Sequence, residues 1–287
     1  MNIRNSFYAF VLVACSVSAT YFVTVSTAQQ GTQPQVVADN EYQAGATLWM
    51  QKAGEYRALA YQAFNLARWQ LDADLDKKNV KNLPKPERKK PRAIMVDIDE
   101  TVLDNSPAQA QNIKTRAPFI LKDWYAWGDM RKAKAIPGSV EFLNYASSRG
   151  VKIFYVSNRD EVQKQATMDN LKSVGFTDIN ADNVLLRQVD DKGKNISTKE
   201  PRREIILQKY RIVFSMGDNL DDHSNVFESK SVADRFAEVD KAKDMFGKRY
   251  ILLPNAMYGT WENAIYEYGR LNEAQKTEKR ANALELP

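Results

Sequence analysis

Beyond Arg92, five short apolar runs rich in β-branched and aromatic residues alternate with stretches of helical texture. The runs predict strands at residues 93–96, 152–156, 184–186, 212–216 and 250–253, with helices at 138–148, 161–174, 200–209 and from 222 onward. Few folds satisfy that alternation. Parallel strands need a crossover between them, and the crossover helices cover both faces of the sheet. The expected class is α/β, a mostly parallel sheet flanked by helices. Ligands of such sheets bind beyond the carboxyl ends of the strands, which locates the site before any motif is read.

The first run ends in RAIMVDIDETVLDNSP, residues 92–107, where four apolar residues lead straight into Asp97 and Asp99, with Glu100 beside them. Carboxylates that close repel unless something positive offsets them. The same side of the sheet should collect Ser157, Asn158 and Arg159 after the second run, and Asp218, Asp221 and Asp222 from GDNLDD after a later one. Between them, NISTKEPRR puts Lys199 at a helix start, with Ser197 or Thr198 as the cap. Asp97 and Asp218, with Asp222 as a further candidate, supply hard oxygen ligands in the number Mg²⁺ takes from protein. The Ser157 hydroxyl, nearby backbone N–H groups and the Lys199 ammonium can hold phosphoryl oxygens and offset transition-state charge. One aspartate is left for a different task.

In this order, VDIDETVLDNS, YVSNR, Lys199 and GDNLDD resemble the motifs of the haloacid-dehalogenase superfamily of aspartate-nucleophile phosphatases. More narrowly, VDIDETVLDN and GDNLDDH are similar to the bipartite signature of class C acid phosphatases, the lipoprotein e type of bacterial 5′-nucleotidase. KDWYAW, IPGSVEFLNY and LPNAMYGTWE are similar to further segments of that group, so the resemblance spans residues 41–262.

The resemblance implies a Rossmann-like core with a helical cap, built from the N-terminal helix and an insertion after the first core strand. It implies that Asp97 attacks phosphorus and forms an aspartyl-phosphate, its other oxygen on Mg²⁺. Asp99 would protonate the leaving alcohol and then activate water, its backbone carbonyl also binding the metal. Ser157 would hold a phosphoryl oxygen and Lys199 would neutralise charge. Asp218 would bind the metal directly, with Asp222 a second ligand or the orienter of a metal-bound water. Asn158, Trp124, Trp127 and Tyr258 would contact substrate, the aromatics by stacking on a base. A leaving-group acid works while protonated, so an acidic optimum is expected.

Two signature positions depart from the family pattern. Ala108 stands where a tyrosine is usual, and His223, the one histidine of the chain, where a phenylalanine is usual. The lost ring bears on nucleotide preference. An imidazole titrates where such an enzyme works, which makes His223 a candidate for shaping the pH profile.

The flanks read separately. Residues 1–28 form an export segment: Arg4 precedes an apolar run, as in secretory signals. LVAC, ending at Cys15, resembles a lipobox whose cysteine is lipidated, while STA before Gln29 resembles an ordinary signal-peptidase site. The first reading gives an outer-membrane lipoprotein, the second a soluble periplasmic protein cleaved after Ala28. Cys15 is the only cysteine, so no internal disulfide can form. Residues 40–78 repeat apolar side chains at helical spacing, through Leu48, Ala53, Tyr56, Leu59, Ala60, Phe64, Ala67 and Trp69, and constitute the N-terminal part of the cap. Residues 79–92 are a basic, proline-bearing linker, 93–265 the core with its cap insertion at about 105–134, and 266–287 a helical tail.

The net charge of +5 comes without a long basic face interleaved with aromatics, which argues against a nucleic acid polymer as partner. The expected function is an exported Mg²⁺-dependent acid phosphatase acting on phosphate monoesters, nucleoside monophosphates above all. A non-catalytic surface binding lipoprotein on the same fold and a DxD-type glycosyltransferase are the alternatives. The helix aromatics and the basic linker are the surfaces on which a homodimer could form.

Overall fold

The computed structural model describes residues 40–81 and 83–287. Residues 1–28, read from the sequence as an export segment, lie outside them, with Cys15 and both candidate cleavage sites. The described chain opens on helices α1 (Ala44–Lys52), α2 (Gly54–Leu75) and α3 (Lys85–Lys89). It continues through β1 (Arg92–Val96), β2 (Leu103–Asp104), α4 (Ser106–Thr115), α5 (Leu121–Met130), β3 (Lys134–Ala135) and α6 (Ser139–Ser148). Next come β4 (Lys152–Asp160), α7 (Lys164–Ser173), β5 (Val184–Val189), β6 (Asn195–Ile196), α8 (Glu200–Lys209) and β7 (Arg211–Gly217). The last elements are α9 (Val232–Lys241), β8 (Tyr250–Leu252), α10 (Thr260–Ile265) and α11 (Glu273–Asn282).

Six strands form one sheet in the order β6-β5-β4-β1-β7-β8. All pairs are parallel except β5 with the edge strand β6. The strand order reverses at β1, which runs between β4 and β7. A crevice therefore opens beyond its carboxyl end, where Asp97 follows Val96.

Strand alternation divides the core in two. Ile94 and Val96 of β1 and Ile153 and Tyr155 of β4 face a large cluster with Ala60, Phe64, Ala67 and Leu71 of α2 and Phe142 and Leu143 of α6. Ala93, Met95, Phe154 and Val156 face the other way, onto Ile206 of α8. This is the α/β sandwich expected from the alternation of runs.

The N-terminal helical segment departs from expectation. It breaks at Ala53, which is extended (φ −78°, ψ 132°), so α1 and α2 are separate. The α1 helix lies against the cap helix α4, whereas α2 packs chiefly on α6 and β8 and serves as a layer of the core. The strip Tyr56, Ala60, Ala63, Phe64, Ala67 and Leu71 is buried, but Leu48, Leu59 and Trp69, expected on the apolar face, are exposed. The basic linker carries the short helix α3. The insertion after β1 supplies α4 and α5 and closes with the two-stranded antiparallel pairing of β2 and β3. No helix among the described residues is long and apolar enough to cross a membrane.

Candidate active site

Beyond Val96 the chain makes a tight loop. Glu100 takes a left-handed conformation (φ 55°), and the N–H groups of Val102 and Leu103 both return to the Ile98 carbonyl at 2.9 Å. The loop sends Asp97 and Asp99 to different partners. The Asp97 carboxylate contacts Lys199 Nζ and accepts from Thr101 Oγ1 at 3.3 Å. Asp99 turns to the end of β4, where Arg159 Nη2 donates to its Oδ1 at 2.8 Å and Ser157 Oγ donates to its Oδ2 at 3.0 Å.

The second acidic group comes from the end of β7. Asp218 accepts from Asn255 Nδ2 at 2.9 Å and from Thr101 Oγ1 at 3.2 Å. Asp222 closes a short helical turn by accepting the Asn219 N–H at 2.9 Å, and its Oδ1 pairs with Lys199 Nζ at 2.7 Å. Gly217 is required beneath this turn, because a Cβ there would overlap the Asp222 side chain. Lys199 sits at the cap position of α8, and neither Ser197 nor Thr198 caps that helix at its N-cap residue. Thr198, one residue earlier, accepts the Glu200 N–H at 3.4 Å through its Oγ1, which donates to Glu228 at 2.5 Å.

Charge is out of balance here. Ligand oxygens of Asp97, Asp218 and Asp222 all lie within 4.8 Å of one another, and the single buried ammonium of Lys199 faces them. Burial pushes Asp97 well above the carboxylate range; Lys199 opposes this, and Asp222, Asp218 and Asp99 add to it. Burial and then Asp222 push Asp218 up to about 7, against Asn255 and Lys199. Burial alone would depress Lys199, but Asp222 and Asp97 outweigh it and hold the ammonium above its ordinary range. Three hard oxygen donors carrying two charges more than Lys199 can offset suit a hard divalent cation.

These groups open onto a cavity of about 860 Å³, within the span of small-molecule sites, about 300–1,000 Å³. Asp97, Asp99, Lys199, Asp218 and Asp222 line it with Asn158, Arg159, Trp124 and Tyr258. Arg202 donates to Asn158 Oδ1 at 2.7 Å and so fixes the amide of a residue on the cavity wall. The Tyr258 hydroxyl is tied to the buried Glu100 carboxylate. Ala108 lies on the cavity wall, so the absent ring leaves open volume there.

Three expected contacts are arranged differently. Ser157 is fully buried and off the cavity wall, its hydroxyl turned to Asp99. Trp127 packs against the main core, donates Nε1–H to Asn105 Oδ1 at 2.8 Å, and is likewise off the wall. His223 lies behind the acidic cluster, its ring stacked on Tyr250 at 5.1 Å and its Nδ1 2.9 Å from Ser215 Oγ. Thr101, Asn105, Arg159, Arg202 and Asn255 hold the acidic side chains or their supporting loops, and sequence reasoning assigned none of them to the chemistry. Thr101 and Asn105 lie inside the first motif and Arg159 inside the second; their place there was the available signal.

Comparison with known proteins accords with this geometry. The family model for the HAD superfamily, subfamily IIIB (Acid phosphatase), matches residues 12–261. A class C acid phosphatase from Bacillus anthracis superposes with a TM-score of 0.77 at 42% identity, covering 86% of this chain and 98% of that one. The same enzyme with tungstate bound gives 0.77 at 41% identity with the same coverage. Acid phosphatase 1 of Solanum lycopersicum is 30% identical over 128 residues, 44% of this chain and 49% of that protein, so the chain spans about half the length of that curated relative. The match to the family model runs from residue 12 through the loop bearing Tyr258, taking in every acidic motif, and by it the chain belongs to subfamily IIIB of the HAD superfamily, the acid phosphatases.

Proposed function

We propose that this protein is an exported, Mg²⁺-dependent acid phosphatase that hydrolyses phosphate monoesters, 5′-nucleotides above all, through an aspartyl-phosphate. The observation that carries the reading is the division of labour between the two aspartates of the first motif. Asp97 lies with Asp218, Asp222 and Lys199, and Asp99 stands apart with Arg159, Ser157 and Asn105.

In this reading an Asp97 oxygen forms a bond to phosphorus as the bond from phosphorus to the leaving oxygen breaks. That oxygen keeps the bonding electrons and takes the proton from Asp99. In the second half, Asp99 accepts a proton from water as the water oxygen attacks phosphorus. The Asp97–phosphorus bond breaks and phosphate leaves. Lys199 offsets charge on Asp97 and on the phosphoryl oxygens, and the Asn158 amide donates to one of them. Asp97, Asp218 and Asp222 would hold the metal, which supplies charge neutralisation for the phosphoryl group.

Trp124 and Tyr258 on the cavity wall support an aromatic leaving group such as a nucleoside. The volume beside Ala108 supports tolerance among bases. Export rests on the N-terminal sequence, with anchoring through Cys15 at the outer membrane or release into the periplasm after Ala28.

Phosphate release at mildly acidic pH tests the reading, with p-nitrophenyl phosphate and a panel of 5′- and 3′-nucleotides, with Mg²⁺ and with chelator. Metal-dependent release that Asp97→Asn lowers by about 10⁴-fold or more is expected. A folded, Mg²⁺-supplied protein that releases phosphate from no ester would overturn it in favour of a binding protein.

A further inference from the structure

The Asp99 carboxylate is not symmetric in its surroundings, and the asymmetry originates largely in Asn105 and Arg159, to which the proposed reaction gives no chemical role. Its Oδ1 accepts from Asn105 Nδ2 at 2.8 Å, from Arg159 Nη2 at 2.8 Å and from Arg159 Nε at 3.0 Å. Its Oδ2 has the Ser157 hydroxyl at 3.0 Å and a longer approach from Arg159 Nε, 3.3 Å. A hydroxyl can rotate and accept; an amide N–H and a guanidinium cannot. A proton on Oδ1 would point at close, fixed donors, whereas a proton on Oδ2 meets the Ser157 hydroxyl, which can turn, and only the longer 3.3 Å approach of Arg159 Nε.

Asn105 makes this choice enforceable. It is 2% exposed. Its backbone N–H is fixed to Glu100 Oε1 at 2.7 Å, and its Oδ1 accepts from Trp127 Nε1 at 2.8 Å and Arg159 Nη2 at 3.3 Å. Indole N–H is a donor only. Flipping the Asn105 amide would set its NH₂ against that donor and its carbonyl against Asp99, leaving two buried conflicts at about 1–3 kcal/mol each. Trp127 on α5 thus determines which end of the amide Asp99 sees.

We propose that Asn105, oriented by Trp127, is a positioning residue for acid catalysis: it occupies Oδ1 of Asp99 and reserves Oδ2 as the oxygen that carries the proton to the leaving group. This rests on the assignment of Asp99 as the leaving-group acid. It gives Trp127 a task other than base stacking.

Leaving-group dependence tests it. Benzyl phosphate and p-nitrophenyl phosphate each carry one aromatic ring, but benzyl alkoxide is a strong base that needs a proton to depart and nitrophenolate is not. The quantity read is the ratio of kcat/KM for benzyl phosphate to that for p-nitrophenyl phosphate, which reports the first phosphoryl transfer. In the full-length Mg²⁺-loaded protein, Asn105→Ala should lower that ratio about 100-fold, the scale of a general-acid contribution. Trp127→Phe keeps the ring and removes the indole donor, so it should lower the ratio in the same direction, about tenfold, and serves if Asn105→Ala does not fold. Equal losses on both esters in these variants would overturn the positioning role and leave Asn105 as packing. Asp99→Asn separates the two levels of the argument. If it lowers the ratio and the Asn105 and Trp127 variants do not, only the positioning proposal falls. If Asp99→Asn leaves the ratio unchanged, the assignment of the acid falls, and this proposal with it.

Discussion

Lys199 Nζ is held 2.7 Å from Asp222 Oδ1 while its other side contacts Asp97. Asp222 reaches that position because its second oxygen accepts the Asn219 N–H at 2.9 Å. Besides the oxygen it can offer a cation, Asp222 acts on the lysine and through it on Asp97. Asp222→Asn keeps the shape and removes the charge. The expected outcome is a kcat lower by about 10- to 100-fold and a metal affinity lower by a similar factor, the scale for groups that orient ligands. Rates at saturating Mg²⁺ beside a Mg²⁺ titration would show it. Wild-type values for both would mean that Lys199 is placed by something else.

The backbone under that pair permits no side chain. A Cβ on Gly217 would overlap the Asp222 side chain, while a Cβ on Gly54, at the start of α2, would meet nothing within 4 Å. Gly217→Ala should therefore cost about 1–3 kcal/mol through overpacking and lower kcat at least tenfold by displacing Asp222. In a domain of this size that is a Tm drop of about 2–4 °C per kcal/mol. Gly54→Ala should raise Tm slightly or leave it, since it only restricts the unfolded chain. Thermal melts and rates of the two variants side by side decide the point. Equal behaviour would show that the turn at Asp222 is not tightly packed.

At the opposite, amino end of the strands, Asp74 of α2 accepts from Arg211 Nη1 at 2.7 Å and Nη2 at 2.6 Å, and from Arg92 Nε at 2.8 Å. The three side chains tie α2 to the first residues of β1 and β7. Burial alone would raise the Asp74 pKa, but the hydrogen bonds from Arg211 and Arg92 outweigh it and hold the carboxyl below its ordinary range. A depressed folded pKa means that the unfolded chain takes up the proton first as pH falls. The contribution is therefore complete above the unfolded value, about 3.9, and is lost as pH falls further through the folded one. Asp74→Asn should cost about 3 kcal/mol at pH 6, because it strands a buried arginine. The deficit should shrink only below about pH 4, and kcat should not change. Urea unfolding at pH 6 and pH 3.5 measures both; a deficit that is the same at both would refute the charge argument.

Much of this architecture was legible in the sequence because the signals were physical. A buried parallel strand must be a short apolar run, so β1, β4, β5, β7 and β8 could be placed. The two-residue strands β2, β3 and β6 are too short to carry a period. The split at Ala53 was hidden because alanine is the strongest helix former and is disfavoured at an N-cap, so it gives no sign of a break. Carboxylates after strands mark a cation or phosphoryl site through simple repulsion, which is why Asp97, Asp218 and Asp222 could be grouped. The orientation of Ser157 and Trp127 was not legible. A hydroxyl or an indole beside a site looks the same in sequence whether it faces the cavity or a neighbouring carboxylate or amide. Asn105 carries no charge and no period, and only the set of donors around it reveals its place.

His223 stands where the family pattern has phenylalanine, and the structure makes the exchange a matter of stability. The imidazole is 2% exposed, its ring stacks on Tyr250 at 5.1 Å and meets Phe246 edge-on at 6.4 Å, and its Nε2 has no hydrogen-bond partner among the described residues. Burial pushes its pKa down to about 4; Asp222 opposes this, and Arg203 and Lys199 add to it. In the unfolded chain the group titrates near about 6.5. Between those two values the unfolded chain binds a proton that the folded one refuses, so stability falls as pH drops from about 6.5 toward 4, by about 3 kcal/mol in all. A phenylalanine would forgo the Ser215 contact but would not titrate. His223→Phe should therefore gain on the wild type as the medium becomes acid, with Tm curves that lie close at pH 7 and diverge by several degrees at pH 4.5 in saturating Mg²⁺. Since the ring does not line the cavity, the pH profile of kcat/KM should not move. Parallel Tm curves would mean that the folded protein accommodates the imidazolium, and a displaced rate profile would give His223 the kinetic role that its position argues against.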